Sequence, residues 1–189
     1  MSEKEKMISG ALYQPWSEEL FNDRQYCKGL LHEFNGLSPL EKEGLDIVLK
    51  KIVKAKGELY IEQPFYCTYG YNIEIGLNFY AKVNLTIVDS GRVVIGNHVT
   101  IGPNVNIITS VQPFNEVDRI KGFEYADGVM IYDNACIGGG TTICPGVKIS
   151  RGAIIEPGSV VRTDIPPYVI AGGNPCKVIR EITEKDIRR

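Results

Sequence analysis

The sequence predicts a mainly β protein: a parallel β-helix built from hexapeptide repeats, with a helical N-terminal extension and a short C-terminal helix. From Ile73 onward the chain reads in sixes, and a break from 111 to 128 interrupts that period. The first 58 residues lack the repeat and instead carry apolar residues at helical spacing. A length of 189 residues with 43% hydrophobic content suits one domain with a small extension.

The third residue of each hexad is apolar, and in ten of twelve hexads it is isoleucine. Six residues provide one short strand and one turn, and a β-branched residue suits the centre of a strand. Three such sides close a triangular coil whose strands pair with those of the next coil. A β-sandwich would place its turns every 8–12 residues instead. The predicted inward positions are Ile75, Ala81, Ile87, Ile95, Ile101, Ile107, Ile131, Ile137, Ile143, Ile149, Ile155 and Val161.

The N-terminal extension is predicted to contain two helices. Apolar spacing favours helices over 22–34 and 40–55, and Ser38-Pro39 suits the cap and first turn of the second one. The predicted units are a helical extension over 1–58, a β-helix over 59–176 with an excursion over 111–128, and a tail over 177–189 that ends in a short helix.

Composition indicates a cytoplasmic protein that binds neither nucleic acid nor membrane. The net charge of −2 creates no strong field for either partner. Five cysteines form no C-x-x-C pair, and the first ten residues are charged rather than signal-like, which favours reduced thiols. No apolar run approaches the roughly 20 residues that span a bilayer.

Several segments together resemble the maltose/galactoside O-acetyltransferases. They are LLHEFN (30–35), PFYCTYGYNIEIGLNFYA (64–81), NLTIVD (84–89), IGPNV (101–105), CPGVKI (144–149) and TDIPPYVIAGGNPCKVIREI (163–182). The resemblance spans nearly the whole chain. It implies a left-handed β-helix, a homotrimer, and transfer of acetyl from acetyl-CoA to a sugar hydroxyl in a cleft between two subunits, with no metal.

In the family that this chain resembles, the excursion reaches the neighbouring subunit, covers the active site and carries a catalytic histidine just before a proline. Here that dipeptide is Gln112-Pro113. A glutamine amide can orient a hydroxyl by hydrogen bonding but cannot take its proton, whereas histidine has a pKa near 7. The two histidines of the chain, His32 and His98, do not match the motif.

The resemblance also implies which residues bind the two substrates. Lys82 and Ser90 stand where the family has a sugar-binding Asn and Asp, and Cys136 replaces a tryptophan. Pro157 replaces an alanine near the pantetheine arm, which deletes an N–H donor. The candidates for binding the acceptor are Thr68, Tyr80, Lys82, Asn84 and Ser90, and those for acetyl-CoA are Gly139, Pro157, Arg162, Thr163, Lys177 and Arg180.

Three functional interpretations remain open at this point. The chain is an active acetyltransferase with an altered acceptor and a replacement base, for which Glu116 and Glu124 in the excursion are candidates. Alternatively, it is a weak or inactive member that still binds CoA or a sugar, or a structural trimer that acts as a scaffold. Zinc carbonic anhydrases share this type of helix but need three histidine ligands, and two histidines exclude that class.

Overall fold

The computed structural model describes residues 1–186, which form a triangular parallel β-helix of about six turns with a helical extension. The strands in chain order are β1 (Lys54–Ala55), β2 (Leu59–Ile61), β3 (Phe65–Cys67), β4 (Ile73–Ile75), β5 (Phe79–Ala81), β6 (Leu85–Val88), β7 (Val93–Ile95), β8 (Thr100–Ile101), β9 (Asn106–Ile108), β10 (Ser110–Val111), β11 (Tyr125–Ala126), β12 (Val129–Ile131), β13 (Cys136–Ile137), β14 (Thr142–Ile143), β15 (Lys148–Ile149), β16 (Ile154–Ile155), β17 (Val160–Val161), β18 (Val169–Gly172) and β19 (Lys177–Glu181). The helices are α1 (Glu3–Ser9), α2 (Glu18–Gly36), α3 (Lys42–Ile52) and α4 (Glu116–Ile120), followed by a 3₁₀ turn over Glu184–Asp186.

Three sheets form the sides of the shaft. The first sheet has the order β1-β4-β7-β12-β15, the second β19-β18-β16-β13-β8-β5-β2, and the third β17-β14-β9-β6-β3. Each coil takes one strand from each sheet in turn, and successive coils pair in parallel, as where Ile95 lies opposite both Ile75 and Ile131. Each coil has three corners. The corner between the third sheet and the first, which holds the acceptor candidates Thr68 and Ser90, is the acceptor corner. The corner between the second sheet and the third, which holds Gly139, is the glycine corner.

The predicted inward ladder is confirmed. All twelve positions are at most 2% exposed, and they join one continuous hydrophobic core. Burying an isoleucine side chain contributes roughly 1.5–3 kcal/mol, so the stack of these side chains is a main source of stability in the shaft.

Adjacent isoleucines in β16 allow a matched test of this core. Ile155 is 1% exposed, whereas Ile154 points outward and is 37% exposed. Ile155→Ala is expected to lower the free energy of unfolding by about 2–5 kcal/mol, because it leaves a cavity. Ile154→Ala is expected to lower it much less. Urea unfolding at one fixed protein concentration measures both, and equal losses would contradict an Ile-filled shaft.

The turns at the corners explain why Asn and Gly end the hexads. Asn78, Asn84, Asn104 and Asn134 have φ between 55° and 61°, in the left-handed region that Asn tolerates better than most residues. His98 occupies the same kind of position with φ 56°, which confirms its placement at a hexad corner.

The extension is helical, as predicted, and it closes one end of the shaft. Phe34 of α2 packs edge-on against Phe65 of β3, with ring centroids 6.4 Å apart. The Asn35 side chain donates to the Phe65 carbonyl and accepts from the Phe65 N–H, both at 2.9 Å. The coil begins before residue 59, because β1 already pairs with β4.

Two local predictions about the extension are wrong. Ser38-Pro39 does not cap the second long helix, since α3 begins at Lys42 and the Ser38 hydroxyl instead accepts from the Leu40 N–H within the preceding turn. The sequence reading also missed α1, which starts with a capping box formed by Ser2 and Glu5.

The tail does not begin as a helix. From Lys177 it forms β19, which runs antiparallel to β18, and a 3₁₀ turn over Glu184–Asp186 follows within the described residues. The last parallel strand of a coil leaves an open edge of N–H and C=O groups, and β19 satisfies them. Residues 187–189 of the predicted tail lie outside the described residues. None of the helices within residues 1–186 has the length and apolar character needed to cross a bilayer.

Candidate functional site

The segment over 111–128 leaves the shaft at the acceptor corner as a structured arm. Its two ends pair antiparallel, with Ser110 opposite Ala126 and Val111 opposite Tyr125. The tip holds α4, whose N-terminus is capped because the Asn115 side chain accepts from the Val117 N–H at 2.9 Å. The arm is thus an ordered element that can hold side chains in place.

The arm docks on the extension of its own chain. Tyr13 and Glu124 form an antiparallel bridge with two backbone hydrogen bonds of 3.0 Å. The Gln14 side chain also donates to the Lys121 carbonyl at 3.0 Å. The segment between α1 and α2 therefore fixes the arm beside the shaft.

Gln112 lies next to a carboxylate. Its Nε2 donates to Glu124 Oε1 at 3.1 Å, and the Tyr13 hydroxyl donates to Glu124 Oε2 at 2.8 Å. Burial raises the pKa of Tyr13, so its hydroxyl keeps the proton that it donates. Glu116 lies on α4, is exposed, and makes no side-chain hydrogen bond within the part of the chain that the structure describes. Of the two candidate bases in the excursion, Glu124 is the one in contact with Gln112.

A pocket of about 220 Å³ opens beside this carboxylate at the acceptor corner. Arg24 spans one wall, where its Nη1 donates to the Pro15 carbonyl at 2.7 Å and to the Tyr69 hydroxyl at 2.9 Å. Its guanidinium lies 5.4 Å from the centre of the Trp16 ring. The lining residues are Pro15, Trp16, Arg24, Thr68, Tyr69, Val88, Ser90, Ser110 and Glu124.

Two of the predicted acceptor residues, Thr68 and Ser90, thus share a pocket with Glu124. The sequence reading missed Trp16 and Arg24, which line the pocket, and Tyr13, which is buried behind it and donates to Glu124. No short motif marks these three residues, because they come together with Glu124 only when the extension folds back on the shaft.

Beneath the pocket lies a fully buried carboxylate, Asp89. It accepts three backbone N–H groups, from Thr68 at 2.9 Å, Tyr69 at 2.8 Å and Gly70 at 2.7 Å. Burial raises the pKa of the Asp89 carboxyl to about 6, and the three donors act in the opposite direction. The sequence reading included Asp89 in a matching segment without giving it a role. An acidic residue directly after a buried strand is the pattern that indicates such a turn.

Comparisons with known proteins give the family. Residues 6–61 match the maltose acetyltransferase hexapeptide capping motif. The galactoside O-acetyltransferase of Escherichia coli (strain K12) is 41% identical over 183 residues, which cover 96% of this chain and 90% of that protein. The chain belongs to the maltose/galactoside O-acetyltransferase family.

Solved structures of this O-acetyltransferase family agree in fold. The crystal structure of a maltose O-acetyltransferase from Clostridium difficile 630 matches with a TM-score of 0.95 and 42% identity, covering 97% of this chain and 99% of that chain. A galactoside acetyltransferase in complex with coenzyme A matches with a TM-score of 0.96 and 39% identity, covering 100% of this chain and 95% of that chain.

The other acceptor candidates of this O-acetyltransferase chain lie elsewhere on the shaft. Tyr80 is on the outer face of the second sheet, where its ring stacks on Tyr60 at 5.9 Å and its hydroxyl donates to Glu62. Lys82 and Asn84 are exposed at the glycine corner. Within one chain the third sheet separates them from Thr68 and Ser90, so one copy does not bring the five residues together.

The candidates for CoA binding lie at two different corners of the shaft. Gly139 and Pro157 lie on successive coils at the glycine corner, and a Cβ on Gly139 would lie 2.8 Å from Pro103. Lys177 is exposed and pairs with Gly172 at the end of the second sheet that leads toward this corner. Arg162 and Thr163 instead follow β17, at the acceptor corner.

Arg180 is already engaged by an acidic partner. Its guanidinium donates to both carboxylate oxygens of Asp186 at 2.8 Å, and this pair holds the pKa of Asp186 below its usual range. A phosphate at Arg180 would compete with Asp186 for this guanidinium. Within residues 1–186 there is no cluster of His, Cys, Asp and Glu side chains placed to hold a metal ion.

Proposed function

We propose that this protein is an acetyl-CoA-dependent O-acetyltransferase that modifies a sugar hydroxyl slowly, because Gln112 stands at the position of the catalytic histidine. The observation that carries the proposal is the pocket at the acceptor corner, where Thr68 and Ser90 lie beside the Glu124 carboxylate. This pocket has polar groups for a hydroxyl-rich ligand and an aromatic side chain, Trp16, on which a sugar ring can pack.

The chemistry follows from these groups. The sugar oxygen attacks the thioester carbonyl, a C–O bond forms, the C–S bond breaks, and CoA leaves as a thiolate. The hydroxyl proton passes to Glu124 and then to the CoA sulfur, which balances the reaction. Both oxygens of Glu124 already accept a hydrogen bond, one from Gln112 and one from Tyr13. The Gln112 side chain orients the acceptor without taking its proton.

Acetyl-CoA is proposed to lie along the glycine corner. Gly139 and Pro157 present a surface with little side-chain bulk there, which suits the pantetheine arm, and Lys177 supplies charge for the phosphates. Arg180 contributes after release from Asp186, and Arg162 and Thr163 bind from the acceptor corner of an adjacent copy.

A homotrimer is proposed to complete the site. Tyr80, Lys82 and Asn84 lie beyond the third sheet from the pocket of their own chain, so a second copy is needed to add them to the acceptor site. Sedimentation equilibrium is expected to give three chain masses, and a monomer would contradict an intersubunit site. The five free cysteines support a reducing, cytoplasmic setting.

A second candidate function is a catalytically impaired member that binds CoA or a sugar without turnover, or that serves as a scaffold. The observation that favours it is that both Glu124 oxygens already accept hydrogen bonds while Gln112 offers no base.

Calorimetric titration with CoA separates these functions from a pure scaffold. The unmodified protein is expected to bind CoA, and Lys177→Ala is expected to weaken binding about tenfold, the effect of losing roughly 1.4 kcal/mol of phosphate contact. Lys50→Ala is the control, because Lys50 pairs with Asp46 on α3. A flat trace at millimolar CoA would reject the CoA site.

A further inference from the structure

One buried side chain holds part of the wall of the pocket at the acceptor corner. Thr68 and Tyr69 line the pocket, and their backbone N–H groups, with that of Gly70, converge on the Asp89 carboxylate. Tyr69 in turn accepts from Arg24, so the Asp89 contacts extend to the guanidinium in the wall.

We propose that Asp89 is a positioning residue for the acceptor: its carboxylate holds the backbone over 68–70, and through Tyr69 it sets the place of Arg24 in the pocket. This inference rests on the proposed function, since it assigns the pocket to the acceptor. Asp89 itself is fully buried and does not line the pocket, so it acts only through the residues that it holds.

The turn at Gly70 packs tightly against the end of α3. Gly70 has φ +80°, and a Cβ at this position would lie 2.4 Å from the Ile52 carbonyl oxygen of α3. The turn is therefore confined between α3 and the shaft. Its three N–H groups depend on the Asp89 carboxylate as their acceptor. A carboxylate accepts at both oxygens, whereas the amide of Asn would present an N–H₂ group to one of the donors.

Asp89 is also the group here that changes charge in mildly acidic solution. The hydrogen bond with Cys27 raises the pKa of Cys67, and burial raises the pKa of Tyr69 and Tyr71. The charge of Asp89 acts in the same direction on all three, so they stay neutral. The charges of Arg24 and Glu124 also act on Tyr69, in opposite directions. Burial raises the pKa of Asp89 and the three backbone N–H donors act in the opposite direction, so these donors help to keep the buried carboxyl charged near neutral pH.

Asp89→Asn tests the proposal with little change of shape. The Michaelis constant for maltose or a methyl galactoside is expected to rise roughly tenfold to a hundredfold, the equivalent of losing one hydrogen bond to a charged group. The Michaelis constant for acetyl-CoA is expected to stay unchanged. Asp133→Asn is the matched control, because Asp133 also accepts a backbone N–H at a corner, from Asn97 at 2.8 Å, but away from the pocket. Equal Michaelis constants for the acceptor in Asp89→Asn and the unmodified protein would overturn the proposal.

Two further measurements do not depend on turnover. In Asp89→Asn, the amides of Tyr69 and Gly70 are expected to exchange hydrogen faster while that of Val93 is unchanged, and the emission of Trp16, the one tryptophan of the chain, is expected to shift. If the unmodified protein turns over no sugar, the proposed function is contradicted but the positioning role of Asp89 is not. Hydrogen exchange and Trp16 emission then still test that role. Faster exchange throughout the coil would show a general structural role and overturn it.

If Asp89→Asn does not fold, hydrogen exchange of the unmodified protein replaces it. The amides of Thr68, Tyr69 and Gly70 are expected to exchange slowly, because all three donate to the buried Asp89 carboxylate. Exchange of these amides as fast as in an unfolded chain would contradict the role of Asp89.

Discussion

Gln112→His is expected to raise the rate of acetyl transfer by about 10²- to 10⁴-fold, the usual contribution of a general base. An imidazole takes a proton from the attacking hydroxyl near neutral pH, which an amide cannot do. The surroundings already suit it. Glu124 Oε1 lies 3.1 Å from the Gln112 Nε2, so the carboxylate can accept from one ring N–H and orient the ring with its other nitrogen toward the acceptor.

The measurement is release of the free CoA thiol from acetyl-CoA with maltose or a methyl galactoside as acceptor. Gln112→Asn is the control, because it keeps the amide and adds no base. The gain in Gln112→His is expected to grow as pH rises through about 6.5, where the imidazole loses its proton. An unchanged rate in a Gln112→His protein that still binds CoA would show that this position does not face the reacting hydroxyl.

The shaft could be predicted from the sequence because its core repeats locally. Each inward Ile lies six residues from the next within a coil, so the pattern that fills the core is visible without any long-range contact. The same period also indicates which candidates meet. Thr68 and Ser90 follow strands of the third sheet on successive coils, whereas Lys82 follows a strand of the second sheet and so lies at a different corner.

The contacts that complete the site are not encoded locally. Tyr13 and Glu124 are 111 residues apart, and neither residue lies in the repeat that identifies the fold. The conformation of the tail is also not encoded locally. The apolar residues Val178 and Ile179 suit a helix or a strand, and the tail forms a strand because it pairs with the open edge of β18.

Glu124→Gln is expected to lower the remaining rate of acetyl transfer by roughly 10²-fold, because it removes the proposed proton acceptor while keeping the size of the side chain. The Gln oxygen can still accept from Tyr13, so the arm is expected to stay docked and the affinity for CoA to stay unchanged. Glu116→Gln is the matched control. It lies on the same arm, is exposed, and is expected to leave the rate as it is.

Glu124→Gln and Glu116→Gln together show which carboxylate acts as the base, or whether the protein is a catalytically impaired member. Loss of activity in Glu116→Gln with none in Glu124→Gln would transfer the role of the base to α4 and to a movement of the arm. Equal, very slow rates in the unmodified protein and both variants would favour a binding protein without turnover.

Adding Glu124→Gln to Gln112→His separates the role of Glu124 as a base from its role in orienting the introduced imidazole. If Glu124 only orients the introduced imidazole, the double variant keeps part of the gain, since the histidine still supplies the base.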